Sequence, residues 1–248
     1  MLGGDGRPRC AWALSDPLSL AYHDDEWGVP CWDDRELFAR LMLESLQAGL
    51  SWRLILEKRQ RLTEVFHGWD PERIAALGPD DVARLLSDPG IIRNRRKIEG
   101  IITNARAYLR LVAREGSFAR YLWSFTGGAP LQKPAPVSPA DVPPHTPESA
   151  AMAKDLRRRG FTFVGPTICY SFMQSVGMVD DHVAGCFRAG PRGRERPVPD
   201  TSDPTWSGAR TMSNEGFVIR GCCRGREMSE SEGHHDRPGE DSARVVRE

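Results

Sequence analysis

The sequence predicts an all-α protein, and three observations lead to that fold class. Apolar residues recur with a helical period in several stretches, helix-capping residues precede those stretches, and an alternating β pattern occurs only in the short run 161–164. Apolar residues make up 40% of the 248 residues, which is enough for a hydrophobic core. The formal net charge is zero, so any contact with nucleic acid must come from local basic clusters.

The composition divides the chain into zones. Helical patterns run from residue 10 to about 125, a stretch rich in Pro and Gly fills 126–147, and helical patterns return over 147–187. Beyond them the apolar residues lose their period, so we predict one folded domain over 1–187 and a disordered tail over 188–248. No run of 18 apolar residues and no signal-peptide pattern occurs, which predicts a cytoplasmic protein without a membrane segment.

The first strong helix signal lies near residue 33. Asp33 followed by Glu36 is typical of a capping box, and Leu37, Leu41 and Glu44 then fall on one stripe of the predicted helix. A carboxylate on an apolar stripe is costly to bury without a partner. Glu44 is therefore either paired with a structural donor or kept for function, and the stripe alone leaves both open.

Aromatic residues flank this helix on both sides. A flat cationic heterocycle would suit aromatic faces combined with one carboxylate, because the faces attract the cation and the carboxylate neutralises it. The alternative is that each aromatic belongs to an ordinary core. The residues concerned are Trp12, Tyr22, Trp27 and Trp52.

Residues 85–94 predict a tight turn between two helices. Gly90 is expected to adopt a backbone conformation closed to other residues, and the turn can then point backbone N–H groups at a phosphate. This pattern is typical of a helix–hairpin–helix DNA-binding element, although another helical hairpin, or a solvated basic helix face, would look similar. The candidate DNA contacts that accompany Gly90 are Arg93, Arg95, Arg96 and Lys97.

The last helical zone begins at a clear signal. Thr146 followed by Pro147 predicts a capped helix start, and Gly160 predicts where that helix ends. Further on, His182 and Cys186 have the spacing of residues that share one helical face.

Two thiols and two imidazoles form a candidate metal set. Cys10, His23, His182 and Cys186 suit tetrahedral Zn²⁺, and with all four places filled by protein the ion would be structural. It would join the N-terminal segment to the last helix of the core. A zinc hydrolase would need an open coordination position, and the remaining alternative is a set of unrelated buried Cys and surface His. The other cysteines divide into core residues and a weaker second cluster in the tail: Cys31 and Cys169, and Cys222 and Cys223 beside His234 and His235.

Taken together, the motifs resemble the 3-methyladenine DNA glycosylase I (Tag) family over residues 10–187. The resemblance is carried by CAW (10–12), DPL (16–18), YHDDEWGVP (22–30), QAGLSW (47–52), GIIR (90–93), NARAY (104–108), FTFVGPTICYSFMQ (161–174) and DHV (181–183).

The resemblance implies a helix–hairpin–helix glycosylase fold with the four zinc ligands given above. It implies that Glu44, Tyr22 and Trp52 recognise an extruded base between walls formed by Trp12 and Trp27. It also implies that the neighbouring pair Gly49 and Leu50 fills the gap left in the duplex.

The activity implied is hydrolysis of the N-glycosidic bond of 3-methyladenine during base-excision repair, by a monomer acting on double-stranded DNA in a bacterial cytoplasm at the nucleoid. We expect no lyase activity, because Lys97 lies beside arginines and is expected to contact phosphate. The chain departs from the family at Ser19, where an aromatic is frequent, and at Ser45, where Gly is frequent. A non-catalytic zinc-containing DNA-binding module, or a glycosylase for another alkylated purine, remains the alternative.

Overall fold

The computed structural model describes residues 1–190, and this part of the chain is all-helical, as predicted. Its only β feature is an isolated bridge between Leu2 and Pro8. The α-helices of the described residues are α1 (Pro17–Asp25), α2 (Asp34–Gln47), α3 (Trp52–Val65), α4 (Pro71–Ala75), α5 (Pro79–Ser87), α6 (Arg95–Glu115), α7 (Phe118–Trp123), α8 (Pro147–Arg158) and α9 (Pro166–Ser175). Short 3₁₀ turns cover Ala11–Ser15, His67–Trp69, Ser124–Thr126 and Pro139–Asp141.

Helix α2 lies at the centre of the molecule. It packs against α3, α6, α7 and α9, and all its residues from Asp34 to Leu46 except Arg35 are buried. The predicted start is confirmed, since the Asp33 carboxylate accepts a hydrogen bond from the Glu36 N–H at 2.8 Å. Glu36 does not complete the capping box in the expected way, because its carboxylate accepts hydrogen bonds from the Arg40 guanidinium at 2.6 and 3.0 Å.

The predicted hairpin joins α5 to α6. Its Gly90 does not adopt the special backbone conformation that the sequence predicted. Gly90 is not among the glycines with a positive φ. A Cβ at this position would lie 2.8 Å from Arg61 Cγ and 2.9 Å from an Asp88 carboxylate oxygen. The position therefore needs glycine because neighbouring side chains crowd it. Helix α3 braces the turn from one side, as Arg61 binds Asp88 at 2.8 Å and Lys58 donates to the Pro89 carbonyl at 2.9 Å.

The Pro- and Gly-rich stretch 126–147 is an ordered loop attached to the end of the domain. The Leu131 N–H donates to the Met178 carbonyl at 2.9 Å, and the Lys133 ammonium binds the buried Asp181 carboxylate. Thr146 then caps α8, with Pro147 in its first turn, and Gly160 follows the end of this helix with φ +95°. Both predictions for α8 are confirmed.

The prediction of helix up to residue 187 is wrong. Helix α9 ends at Ser175, and the chain continues through turns in which Gly177 and Gly185 have φ of +72° and +86°. Left-handed glycines interrupt a helix, so His182 and Cys186 lie in turns and do not share a helical face. The run 161–164 forms no strand, and Phe163 has φ +54°.

No helix in residues 1–190 has both the length and the apolar character needed to cross a membrane. The predicted disordered tail, 188–248, lies outside the described residues except for its first three positions, and so does the second Cys and His cluster.

Candidate functional site

The four predicted aromatic residues form one contiguous cluster. The ring centroids of Tyr22 and Trp52 are 5.2 Å apart, those of Trp12 and Tyr22 are 6.4 Å apart, and those of Trp12 and Trp27 are 5.1 Å apart. Helix α1 carries Tyr22, while Trp52 is the first residue of α3. The cluster therefore lies where the N-terminal segment meets the start of α3.

Glu44 lies in α2 with only 5% of its surface exposed. Within the described residues its carboxylate makes no hydrogen bond. Burial raises the pKa of Glu44 to about 8, although the positive charge of Arg40 partly opposes this increase. Glu44 and the buried Tyr22 are close enough that the carboxylate helps to raise the pKa of the phenol. A buried carboxyl without a partner is rare in proteins and calls for an explanation.

Arg40 is a buried cation that the sequence reasoning missed. Its guanidinium binds Glu36 and also donates to the Ser175 carbonyl at 2.8 Å, which ties α2 to the end of α9. The spacing of Glu36, Arg40 and Glu44 along one helical face was the available signal. Because the Arg40 guanidinium already binds Glu36 and the Ser175 carbonyl, it makes no hydrogen bond to Glu44. The Glu44 carboxylate can therefore bind another cation.

A second polar atom without a partner lies in the aromatic cluster. The indole N–H of Trp52 is buried and makes no hydrogen bond among the described residues. Together with Glu44, it gives the cluster one free donor and one free acceptor. A heteroaromatic ring bearing both nitrogen acceptors and an amino group could satisfy both, and a cationic ring would also favour the ionised form of Glu44.

Three of the four predicted metal ligands lie together in the structure. Cys10, His23 and Cys186 are buried, and their potential ligand atoms all lie within 4.8 Å of one another. Cys186 Sγ is 3.4 Å from His23 Nε2, close to the separation of about 3.5 Å expected for S and N ligands of one tetrahedral zinc ion.

His182 lies beside this group without joining its close set of ligand atoms. Its ring centroid is 5.0 Å from that of His23, and its Nε2 is buried without a hydrogen-bond partner among the described residues. Each imidazole engages a carboxylate through Nδ1, His23 with Asp24 and His182 with Asp180, both at 2.8 Å. A carboxylate at Nδ1 leaves Nε2 available to bind a metal, and neither Asp24 nor Asp180 was predicted as a partner from the sequence.

The candidate metal ligands and the aromatic cluster lie in contact with each other. The ring centroids of Trp27 and His182 are 4.5 Å apart, and those of Trp12 and His23 are 5.3 Å apart. Cys31 and Cys169, by contrast, are fully buried away from this group, as core residues should be.

Gly49 and Leu50, the pair predicted to fill the gap in the duplex, lie in the short loop 48–51 between α2 and α3, which we call the wedge loop. Gly49 is exposed with φ +77°, and Leu50 is partly buried against the core. The Gln47 side chain closes the loop by donating to the Leu50 carbonyl at 2.8 Å, while the Leu50 N–H donates to the Gln47 carbonyl at 2.7 Å. The loop is therefore a defined turn at the surface.

The predicted basic residues of the hairpin divide into two groups. Arg93, Arg95 and Arg96 are exposed around the start of α6, where Asn94 caps the helix. Lys97 has other partners, because its ammonium donates to the carbonyls of Leu46 and Ala48 at 2.8 and 2.6 Å. Lys97 thus caps the C-terminal end of α2, and we exclude it from the proposed phosphate contacts.

Both departures from the family pattern have local hydrogen-bond partners. Ser19 is buried, and its hydroxyl donates to the Asp16 carboxylate at 2.7 Å at the start of α1. The Ser45 hydroxyl donates to the Leu41 carbonyl within α2 at 2.8 Å.

Comparisons with known proteins agree with this arrangement. A family model described as methyladenine glycosylase matches residues 12–189. DNA-3-methyladenine glycosylase 1 of Escherichia coli (strain K12) is 49% identical over 178 residues, which is 72% of this chain and 95% of that protein.

Solved structures give the same result. A crystal structure of 3-methyladenine DNA glycosylase I matches with a TM-score of 0.71 and 53% identity, covering 73% of this chain and 99% of the other. A structure that describes 3-methyladenine recognition by the Staphylococcus aureus enzyme matches with a TM-score of 0.69 and 37% identity, covering 72% of this chain and 94% of the other.

Proposed function

The chain belongs to the methyladenine glycosylase family, and we propose that it removes 3-methyladenine from alkylated DNA by hydrolysing the N-glycosyl bond. The observation that best supports this proposal is the buried carboxyl of Glu44, which has no partner within the described residues and lies close to Tyr22. A DNA-binding module without turnover would have no need for such a group.

Glu44 gives a physical basis for selecting a cationic base. With a pKa of about 8, it is mostly protonated in the free protein at neutral pH. A cationic purine stabilises the ionised form, so binding of 3-methyladenine in DNA releases a proton and forms a charge-assisted pair. Neutral adenine offers no such compensation, and ionising Glu44 beside it would cost the full burial penalty.

The reaction itself needs little acid catalysis. Methylation gives the ring a positive charge, and when the bond between the base and C1′ breaks, the bonding electron pair neutralises that charge. Water adds to C1′ and gives up a proton to solvent. The protein contributes by extruding the nucleotide, at a cost of about a few kcal/mol, and by holding the base against Tyr22 and Trp52, with Trp12 and Trp27 as walls of the site.

The surface beside the aromatic cluster would suit double-stranded DNA. Leu50 lies on an exposed loop and would fill the gap left by the extruded base, with Gly49 allowing close approach of the backbone. The first N–H groups of α6 and the exposed Arg93, Arg95 and Arg96 would bind phosphates next to it, with Gly90 in the turn before them. Because a single copy of the chain carries all of these groups, we propose that the protein binds DNA as a monomer.

We also propose a structural Zn²⁺ held by Cys10, His23, His182 and Cys186. The free Nε2 of His182 and the two Nδ1–carboxylate pairs support this ligand set. The ion would join the N-terminal segment to the turns after α9, which helps to hold Trp12 and Trp27 in place.

The test is release of free base from methylated duplex DNA by the full chain, resolved by chromatography. We expect 3-methyladenine as the main product and no trapping of protein on DNA by borohydride, as for a monofunctional enzyme. Release of a different alkylated purine alone would change the substrate, and duplex binding without any release would indicate a binding module.

A further inference from the structure

Phe163 is an aromatic residue in an unfavourable backbone conformation at the surface. It lies in the turn between α8 and α9 with φ +54°, and 36% of its surface is exposed. Few bulky residues adopt a left-handed conformation, because the Cβ atom then crowds the backbone. Its neighbours Phe161 and Val164 are buried at 2% and 1% exposure, so the turn is anchored on both sides while Phe163 itself remains partly exposed.

The surrounding structure holds the turn in this conformation. The Asn104 side chain accepts from the Thr162 N–H at 2.7 Å and donates to the Thr162 carbonyl at 3.1 Å. In α6, a Cβ at Gly100 would lie 2.9 Å from the Phe163 ring, so only glycine lets the ring lie there. Glycine inside a helix and a left-handed Phe are both locally unfavourable, and together they place one ring.

The position of that ring borders the proposed DNA surface. Phe163 and Lys97 line the same small cleft, together with Leu46 of α2. Lys97 holds the carbonyl of Ala48, the residue directly before Gly49 in the wedge loop. Phe163 therefore lies between the first turns of α6 and the end of α2 that leads into the wedge loop.

We propose that Phe163 is a second apolar probe of the duplex, which packs its ring on a base or sugar next to the extruded nucleotide. The inference rests on the proposed function. Backbone strain is retained in proteins mainly where the surrounding structure enforces it for a purpose, and an exposed aromatic face is well suited to stacking on nucleobases. The role is one of duplex binding and positioning, distinct from recognition of the methylated base.

The test measures binding of full-length variants to duplex DNA that contains a stable abasic-site analogue. Phe163→Ala and Phe163→Gly should weaken binding by about tenfold or more, while Phe163→Tyr should stay near wild type. Val137→Ala is the matched control, since Val137 is 82% exposed on the loop between α7 and α8. All variants should bind free 3-methyladenine equally well.

A stability measurement separates contact from folding. Because the site has a positive φ, Phe163→Gly should be at least as stable as Phe163→Ala, yet both should lose the same duplex affinity. Wild-type affinity in Phe163→Ala would overturn the inference, and so would a parallel loss of free-base binding. If wild type releases 3-methyladenine while Phe163→Ala binds the duplex normally, only this inference fails. If wild type releases no base, the proposed function fails.

Discussion

Among single residues, Glu44 has the largest part in the proposed recognition of the base. Its position on the apolar stripe of α2 was readable from the sequence, since the helical period alone predicts burial. The sequence could not tell whether a partner would satisfy the carboxyl, because that depends on residues distant in the chain. In the structure Arg40 binds Glu36 instead, so Glu44 has no hydrogen-bond partner among the described residues.

The raised pKa of Glu44 makes stability depend on pH in a definite direction. Between the ordinary value of 4.5 and about 8, the unfolded chain loses the Glu44 proton while the folded protein keeps it. The folded state then binds more protons, so its stability falls as pH rises through this window and levels off above it. Burial of an ionisable group has this effect whatever the function.

We therefore expect wild type to lose stability relative to Glu44→Gln between pH 4.5 and about 8, by on the order of a few kcal/mol. Urea denaturation of both proteins across this range measures the difference, and effects common to both cancel. A difference that is independent of pH, or that rises with pH in favour of wild type, contradicts the assignment of a raised pKa.

Among the helices, Lys97 makes a contact between α6 and α2 that could not be predicted from the sequence. Its place in a basic run suggested a phosphate contact, but its ammonium caps α2 through the carbonyls of Leu46 and Ala48. Because α2 and α6 are far apart in the chain, no local sequence pattern predicts this contact. The start of α2 at Asp33 and that of α8 at Thr146 were predictable, because capping involves only neighbouring residues.

Lys97→Met should destabilise the protein by about 1–3 kcal/mol, since it leaves two carbonyls at the end of α2 without their charged donor. The salt dependence of duplex binding should keep the wild-type slope. Lys154→Met is the control, because Lys154 is exposed in α8. A normal stability combined with a salt slope reduced by about one would instead assign Lys97 to a phosphate.

At the largest scale, the predicted all-α architecture is confirmed for residues 1–190, and the candidate metal group links the N-terminal segment to the turns after α9. The spacing of His182 and Cys186 led to a wrong prediction of helix, because the same spacing also occurs where the chain turns, here at Gly185 with φ +86°. The closeness of Cys10 to Cys186 is a property of the complete fold, and no segment of the sequence encodes it by itself.

Removal of the proposed zinc should lower the melting temperature by about 10 °C, and zinc added back should restore it. Cys186→Ser should be destabilised to a similar extent and should no longer respond to a chelator. Cys169→Ser changes a buried thiol outside the group, so it should keep its response. Chelator-resistant wild-type protein without bound zinc would contradict the ligand set.

We propose that the buried carboxyl of Glu44 recognises a cationic base, which the protein then removes. The most direct test compares base release from methylated duplex DNA by wild type, Glu44→Gln and Glu57→Gln, where Glu57 forms an exposed ion pair with Arg53. We predict that 3-methyladenine is released by wild type and Glu57→Gln, and that Glu44→Gln, although folded, loses most of this activity. Release by Glu44→Gln at the wild-type rate would contradict the account.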